Sequence, residues 1–139
     1  MTTLTPQRFP DGVKIHGTAH VVIHEPASIC EPADINGTDS SIVIGKGADI
    51  AAFVTINCAD SHLRCLGISE EIERKPIVIE DHVFIGQGAI ILGGTHIGHH
   101  SVIGAGVVLK GEHIPPYSRI TSPSPFIQPG FYSPLRPRR

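Results

Sequence analysis

Residues 77–110 read Ile-Val-Ile-Glu-Asp-His-Val-Phe-Ile-Gly-Gln-Gly-Ala-Ile-Ile-Leu-Gly-Gly-Thr-His-Ile-Gly-His-His-Ser-Val-Ile-Gly-Ala-Gly-Val-Val-Leu-Lys. Ile79, Ile85, Ile91, Ile97, Ile103 and Leu109 fall six residues apart without a slip, and Gly86, Gly98 and Gly104 follow three of them. An α-helix repeats at about 3.6 residues and a strand at about 2, so neither puts a branched aliphatic at every sixth position. A chain coiling through three short faces per turn does. The expected fold class is therefore all-β, a hexapeptide-repeat solenoid of parallel strands.

The same step runs upstream through Ile23, Ile29 and Ile35 and, after a three-residue insertion, through Ile44, Ile50 and Ile56. Three faces of six residues make a coil of eighteen, which stacks Ile97 over Ile79, Ile103 over Ile85 and Leu109 over Ile91. The fourth residue after each aliphatic is mostly small or β-branched: Ala27, Ala33, Ala48, Val54, Val83, Ala89, Thr95, Ser101 and Val107. A narrow prism filled by aliphatics at its strand centres leaves room only for such groups near the corners. Glycine, Asn and Asp between them suit sharp bends and positive φ. About four to five coils are expected, with neighbours covering one another's apolar edges.

Composition is consistent with one thin solenoid. The 139 residues contain no Trp, two Tyr and five Phe. Eleven Lys and Arg against thirteen Asp and Glu give a net charge of −2, which argues against nucleic acid as a partner. No apolar run reaches membrane-spanning length, and the first ten residues lack an apolar signal core, so no membrane insertion and a cytoplasmic location are expected. Cys30, Cys58 and Cys65 have no metal-site spacing and an odd count, which predicts reduced thiols, with Cys30 and Cys58 turn-side or part-buried.

Residues 1–20 are expected to be an irregular lead-in or a degenerate first coil, residues 21–114 the β-helix, and residues 115–139 a Pro-rich extended tail beginning at Pro115-Pro116. Seven of the twelve prolines lie in that tail, and its last residues, Leu-Arg-Pro-Arg-Arg, are expected to be extended and mobile. The repeat breaks briefly at 36–43 and at length in a loop at 63–76, which carries six charged residues. A loop leaving a rigid scaffold is where function concentrates.

With the Pro-Pro-Tyr-Ser turn that follows it, the stretch from Ile77 to Ile120 resembles the hexapeptide-repeat acyltransferases, closest to the branch that acetylates sugars and antibiotics. The resemblance covers roughly residues 40–120. It implies a left-handed parallel β-helix, a homotrimer with sites between neighbouring prisms, and acetyl-CoA as co-substrate with no metal. In that family the catalytic histidine precedes a loop that returns through Lys-Pro. Here His62 precedes the loop and Arg74-Lys75-Pro76 closes it. His62 stands six residues after Ile56 where the family pattern has five, so a one-residue bulge is expected. Transfer from a thioester to a hydroxyl or amine needs a base near neutral pH, and an imidazole, ordinarily titrating at about 6.5, supplies one. Asn57 and Asp60 are candidates to orient that imidazole or hold the acceptor. Gly86, Gly104 and Ala105 are candidate contacts for the pantetheine arm, and Lys110 and Arg119 for the cofactor phosphates. Gly-Gln-Gly at 86–88 and Gly-Ala-Gly at 104–106 are corner glycines first, and no Walker or dinucleotide motif is present. The family's Gly-Asn-Pro-Ala-Lys ending is replaced by Thr121-Ser122-Pro123-Ser124-Pro125-Phe126.

The resulting expectation is an acetyl-CoA-dependent acetyltransferase acting on a hydroxyl, less readily an amino group, of a small carbohydrate-like or glycan acceptor, with His62 as general base. The loop residues Arg64, Glu70, Glu71, Glu73 and Arg74 are placed to hydrogen-bond that acceptor. Two alternatives stand beside it. One is a metalloenzyme resembling the γ-class carbonic anhydrases, suggested by the nine histidines and by His100 falling eighteen residues after His82 and His99 eighteen after Asp81. In the absence of a metal those residues read as solvated imidazoles or an Asp81–His99 pair. The other is a trimeric scaffold without chemistry.

Overall fold

The computed structural model describes residues 7–134; the expected mobile end, 135–139, lies outside them. The strands in chain order are β1 (Val13–His16), β2 (Val21–Ile23), β3 (Ser28–Ile29), β4 (Ala33–Asn36), β5 (Ile42–Ile44), β6 (Asp49–Ile50), β7 (Val54–Asn57), β8 (Ala59–Asp60), β9 (Glu73–Arg74), β10 (Ile77–Ile79), β11 (Phe84–Ile85), β12 (Ile90–Leu92), β13 (His96–Ile97), β14 (Val102–Ile103), β15 (Val108–Lys110), β16 (His113–Ile114) and β17 (Arg119–Ile120). One four-residue helix, α1 (His62–Cys65), lies between β8 and β9. All but β8 and β9 fall into three parallel five-stranded sheets: β1-β4-β7-β12-β15, β2-β5-β10-β13-β16 and β3-β6-β11-β14-β17. These are the first, second and third faces of a left-handed β-helix of five coils.

The hexad aliphatics form three ladders, one per face. Ile35, Ile56, Ile91 and Leu109 stack in register on the first face, Ile44, Ile79 and Ile97 on the second, and Ile50, Ile85 and Ile103 on the third. The isoleucines among them have no exposed surface. Each strand is only two to four residues long, so a face holds one or two inward side chains, as Ile42 with Ile44 and Ile77 with Ile79 on the second face. The small residues named above are buried as well, including Thr95 and Ser101. Their hydroxyls are satisfied: Thr95 donates to the Leu92 carbonyl at 2.7 Å and accepts from the Gly111 amide, while Ser101 donates to the Pro115 carbonyl at 3.2 Å.

The solenoid reaches further than residues 21–114 at both ends. β1 pairs with β4, placing Ile15 under Ile35, so the lead-in is a true first rung. At the other end the chain drops one residue after Lys110, which brings Ile114 onto Ile97 and then Ile120 onto Ile103. Pro115 and Pro116 therefore sit at a corner and do not terminate the coil. Cys30 stands exposed at the turn after β3, whereas Cys58 is buried.

Gly98 is needed for space, since it is not among the positive-φ residues. A Cβ there would lie 2.5 Å from the Pro116 nitrogen of the next coil. Gly98→Ala is expected to cost about 1–3 kcal/mol by overpacking, measured as a shift in the urea midpoint at constant slope.

Candidate active site at the loop corner

The corner between the first and second faces absorbs every change in coil length. It holds the 3-10 turn Thr18–His20, the 37–41 turn, the long excursion after β7, and the short turns at 93–95 and 111–112. The long excursion leaves as an antiparallel hairpin in which Ala59 of β8 faces Arg74 of β9, and Asp60 faces Glu73. Its return is pinned by Arg74, whose Nη1 donates to the Thr38 carbonyl at 2.9 Å, and by the Lys75 amide, which donates to the Cys58 carbonyl at 3.2 Å. Gly93 lets the hairpin lie against the next coil, because a Cβ there would sit 2.7 Å from the Cys58 carbonyl oxygen.

A cleft of about 590 Å³ opens between the hairpin, at 58–60, Glu73 and Lys75, and the two following corners, at 92–94, Lys110 and Gly111. Asp60 organises it. Its Oδ1 lies 2.5 Å from His62 Nδ1 and accepts from the His62 backbone amide at 3.2 Å; its Oδ2 lies 3.2 Å from Lys110 Nζ. The His62 side chain is half exposed. The hydrogen bond from the His62 ring, followed by that from the His62 amide and then the Lys110 ammonium, holds the Asp60 carboxyl down at about 2. One atom each from Asp60, His62 and Glu73 lie within 4.8 Å of one another.

The pH dependence follows from the sign of that shift. Folded-state Asp60 titrates below its unfolded value of about 3.9, so its stabilising contribution is complete above that value and is lost as pH falls through about 2. Carbon-detected NMR of the Asp60 carboxyl is expected to show it ionised at pH 4, and Lys110→Met is expected to move its midpoint upward.

Cys58 borders the cleft, but its thiol donates to the Ser41 carbonyl at 3.5 Å, and burial pushes its pKa up. It is poorly placed to serve as a nucleophile. Asn57 is used locally: its Oδ1 accepts from the Ala59 amide at 3.0 Å, holding the turn where the hairpin departs. Of the sequence candidates, the structure brings Asp60, His62 and Lys110 together. Lys110 meets the carboxylate of Asp60, a contact that spacing did not suggest. Gly86, Gly104 and Ala105 stand at a different corner, between the third and first faces, and Arg119 lies exposed on the third face. His62, Arg64, Glu70 and Glu71 do not line the cleft, His62 meeting it through its contact with Asp60, whereas Glu73 and Lys75 do line it. Lys75 was legible only as half of the Lys-Pro return.

The corner between the second and third faces carries the histidines that suggested a metal. His82, His100 and Tyr117 all adopt positive φ and form a ladder of rings, with centroids 5.0 Å apart between the histidines and 5.2 Å from His100 to Tyr117. The anticipated Asp81–His99 pair does not form. Asp81 accepts from the Lys46 amide at 3.0 Å, and the His99 amide donates to Glu80 at 3.1 Å. The hydrogen bond from His96 holds the Glu80 carboxyl below its ordinary range.

The chain's repeat and fold are similar to those of the hexapeptide-repeat acyltransferases. A family model for the hexapeptide repeat of succinyl-transferase matches residues 76–110. A 2,3,4,5-tetrahydropyridine-2,6-dicarboxylate N-succinyltransferase from Xylella fastidiosa is 32% identical over 108 residues, covering 61% of this chain and 39% of the relative. Among solved structures, a hexapeptide-repeat-containing acetyltransferase from Vibrio cholerae superposes with a TM-score of 0.54 at 27% identity, over 78% of this chain and 67% of that one. A galactoside acetyltransferase in complex with coenzyme A gives 0.53 at 29% identity, over 69% and 56%. The chain spans only about a quarter to two fifths of the length of the succinyltransferases it matches, 25–42%. Among the described residues no helix is long and apolar enough to cross a membrane.

Proposed function

We propose that this protein transfers an acetyl group from acetyl-CoA to a hydroxyl or amino group of a small polar acceptor bound in the loop-corner cleft, with His62 as general base. The observation that carries this reading is the chain of contacts Lys110–Asp60–His62. With Asp60 ionised and accepting from Nδ1, the imidazole holds its proton on that atom and presents the Nε2 lone pair as the base. The acceptor's proton passes to Nε2 as its oxygen or nitrogen bonds to the thioester carbonyl carbon. Collapse of the tetrahedral intermediate then breaks the carbon–sulfur bond, and the departing thiolate takes the proton from the imidazolium. The buried thiol of Cys58 supports direct attack over an acyl-enzyme.

The donor's arm is assigned to Gly86, Gly104 and Ala105, with Arg119 near its phosphates. Those residues and His62 stand at different corners of one prism, so a complete site needs two chains. A homotrimer meets that need. Exposed apolar pairs flanking the glycine corner, Phe84 with Val102 and Ile90 with Val108, support packing of prism on prism there. The test is release of coenzyme A thiol from acetyl-CoA in the presence of acceptors. Acceptor-dependent release that disappears in His62→Ala supports the reading, and acceptor-dependent release that persists in that variant removes His62 from the mechanism.

A further inference from the structure

We infer that the acceptor is a small zwitterion, an amino acid or amino-acid-like compound, and that its amino group is the one acetylated; this rests on the acyl-transfer reading above. Glu73 and Lys75 are two residues apart on an extended segment, so they share a side, while Arg74 between them turns away to Thr38. Both line the cleft. Asp60 is already held by His62 and Lys110. Among the described residues neither Glu73 nor Lys75 has a side-chain partner, which leaves the cleft one anion and one cation free. The stem of Lys75 lies along Gly94, where a Cβ would be 3.6 Å from its Cδ.

Two residues of extended chain span roughly 6–7 Å, within the reach of an ammonium and a carboxylate carried on the same small molecule. Glu73 takes the ammonium and Lys75 the carboxylate. Because an oxygen of Glu73 lies within 4.8 Å of an imidazole nitrogen of His62, an ammonium held by Glu73 sits beside the base. A neutral sugar offers neither charge a counterion, whereas a zwitterion pairs with both. In the reaction the ammonium gives one proton to His62 Nε2, and the freed amine forms the carbon–nitrogen bond. The carbon–sulfur bond then breaks and the thiolate takes the proton from His62. The surplus proton on nitrogen leaves through Glu73 to water, so the products are the amide, coenzyme A thiol and one proton.

The experiment measures thiol release at pH 7.5 by the full chain with acetyl-CoA. The probes are the twenty common L-amino acids, their methyl esters, L-lactate and methyl β-D-galactoside. At least one amino acid is expected to exceed its own ester by at least about tenfold in kcat/KM, and the galactoside by more, the scale of one charged hydrogen bond. Lys75→Met is expected to bring the acid-to-ester ratio to about one, mainly through KM. Glu73→Gln is expected to raise KM for acid and ester alike by roughly tenfold. His62-dependent acetylation of the galactoside at a rate matching or exceeding every amino acid overturns this inference and leaves the acyl-transfer reading standing. The same holds if acetyl-CoA binds and no amino acid reacts. Absence of both acetyl-CoA binding and thiol release overturns the two together.

Discussion

His62→Ala is expected to lower kcat by about 10²-fold or more, the usual scale for loss of a general base, while leaving the circular dichroism spectrum and thermal midpoint unchanged. The two halves of that expectation come from different links of the structure. The catalytic half follows from the Asp60 contact to Nδ1, which leaves Nε2 for the proposed role of base. The structural half follows from position: His62 opens a four-residue helix in the excursion, is exposed, and contributes nothing to the isoleucine ladders. Asp60→Asn should reproduce part of the loss, because an amide can hold the ring without stabilising an imidazolium. Activity of Asp60→Asn equal to that of the wild type would show that the carboxylate has no such role.

Ile91→Ala is expected to destabilise the solenoid by about 2–5 kcal/mol, read by urea unfolding. Ile91 lies between Ile56 below and Leu109 above and has no exposed surface. Loss of its side chain opens a cavity that neighbouring coils, fixed by strand pairing on three faces, cannot close. A domain of ordinary stability holds only about 5–15 kcal/mol, so a large share is at risk. In a solenoid each coil contacts only its neighbours, and a fault in a central coil weakens two interfaces at once. Ile68→Ala, in the exposed loop, should change stability by no more than about 0.5 kcal/mol. A small effect at Ile91 would show that the ladders are not what holds the coils together.

The ladders were legible because the period is a direct imprint of geometry: an inward aliphatic every sixth residue, with a small or β-branched residue two positions before most of them, fixes the phase within each run. The ends were harder to read. Ile15 lies on Ile35 at a step of 20 residues, and Ile114 lies on Ile97 at a step of 17, so neither extends an eighteen-residue count. Both irregularities fall at the corner where length can vary without disturbing a ladder. The positive-φ corners were expected to carry Gly, Asn or Asp, yet His82, His100 and Tyr117 occupy one of them. Stacking of their rings offsets part of the cost of the left-handed conformation, a gain visible only once coils are superposed. At the site, His62 was marked by its loop and its Lys-Pro return. The partnership of Asp60 with Lys110 was not, because it joins a hairpin to a coil 50 positions further along the chain. Glu73 was one of several loop charges until the hairpin register set it opposite Asp60.

The most direct test of the account is the structure of the protein with coenzyme A bound. The account places the coenzyme's sulfur in the loop-corner cleft beside Nε2 of His62, with the pantetheine arm against Gly86, Gly104 and Ala105 of a neighbouring protomer. A coenzyme bound with its sulfur at another corner, or His62 turned away from it, would contradict the account.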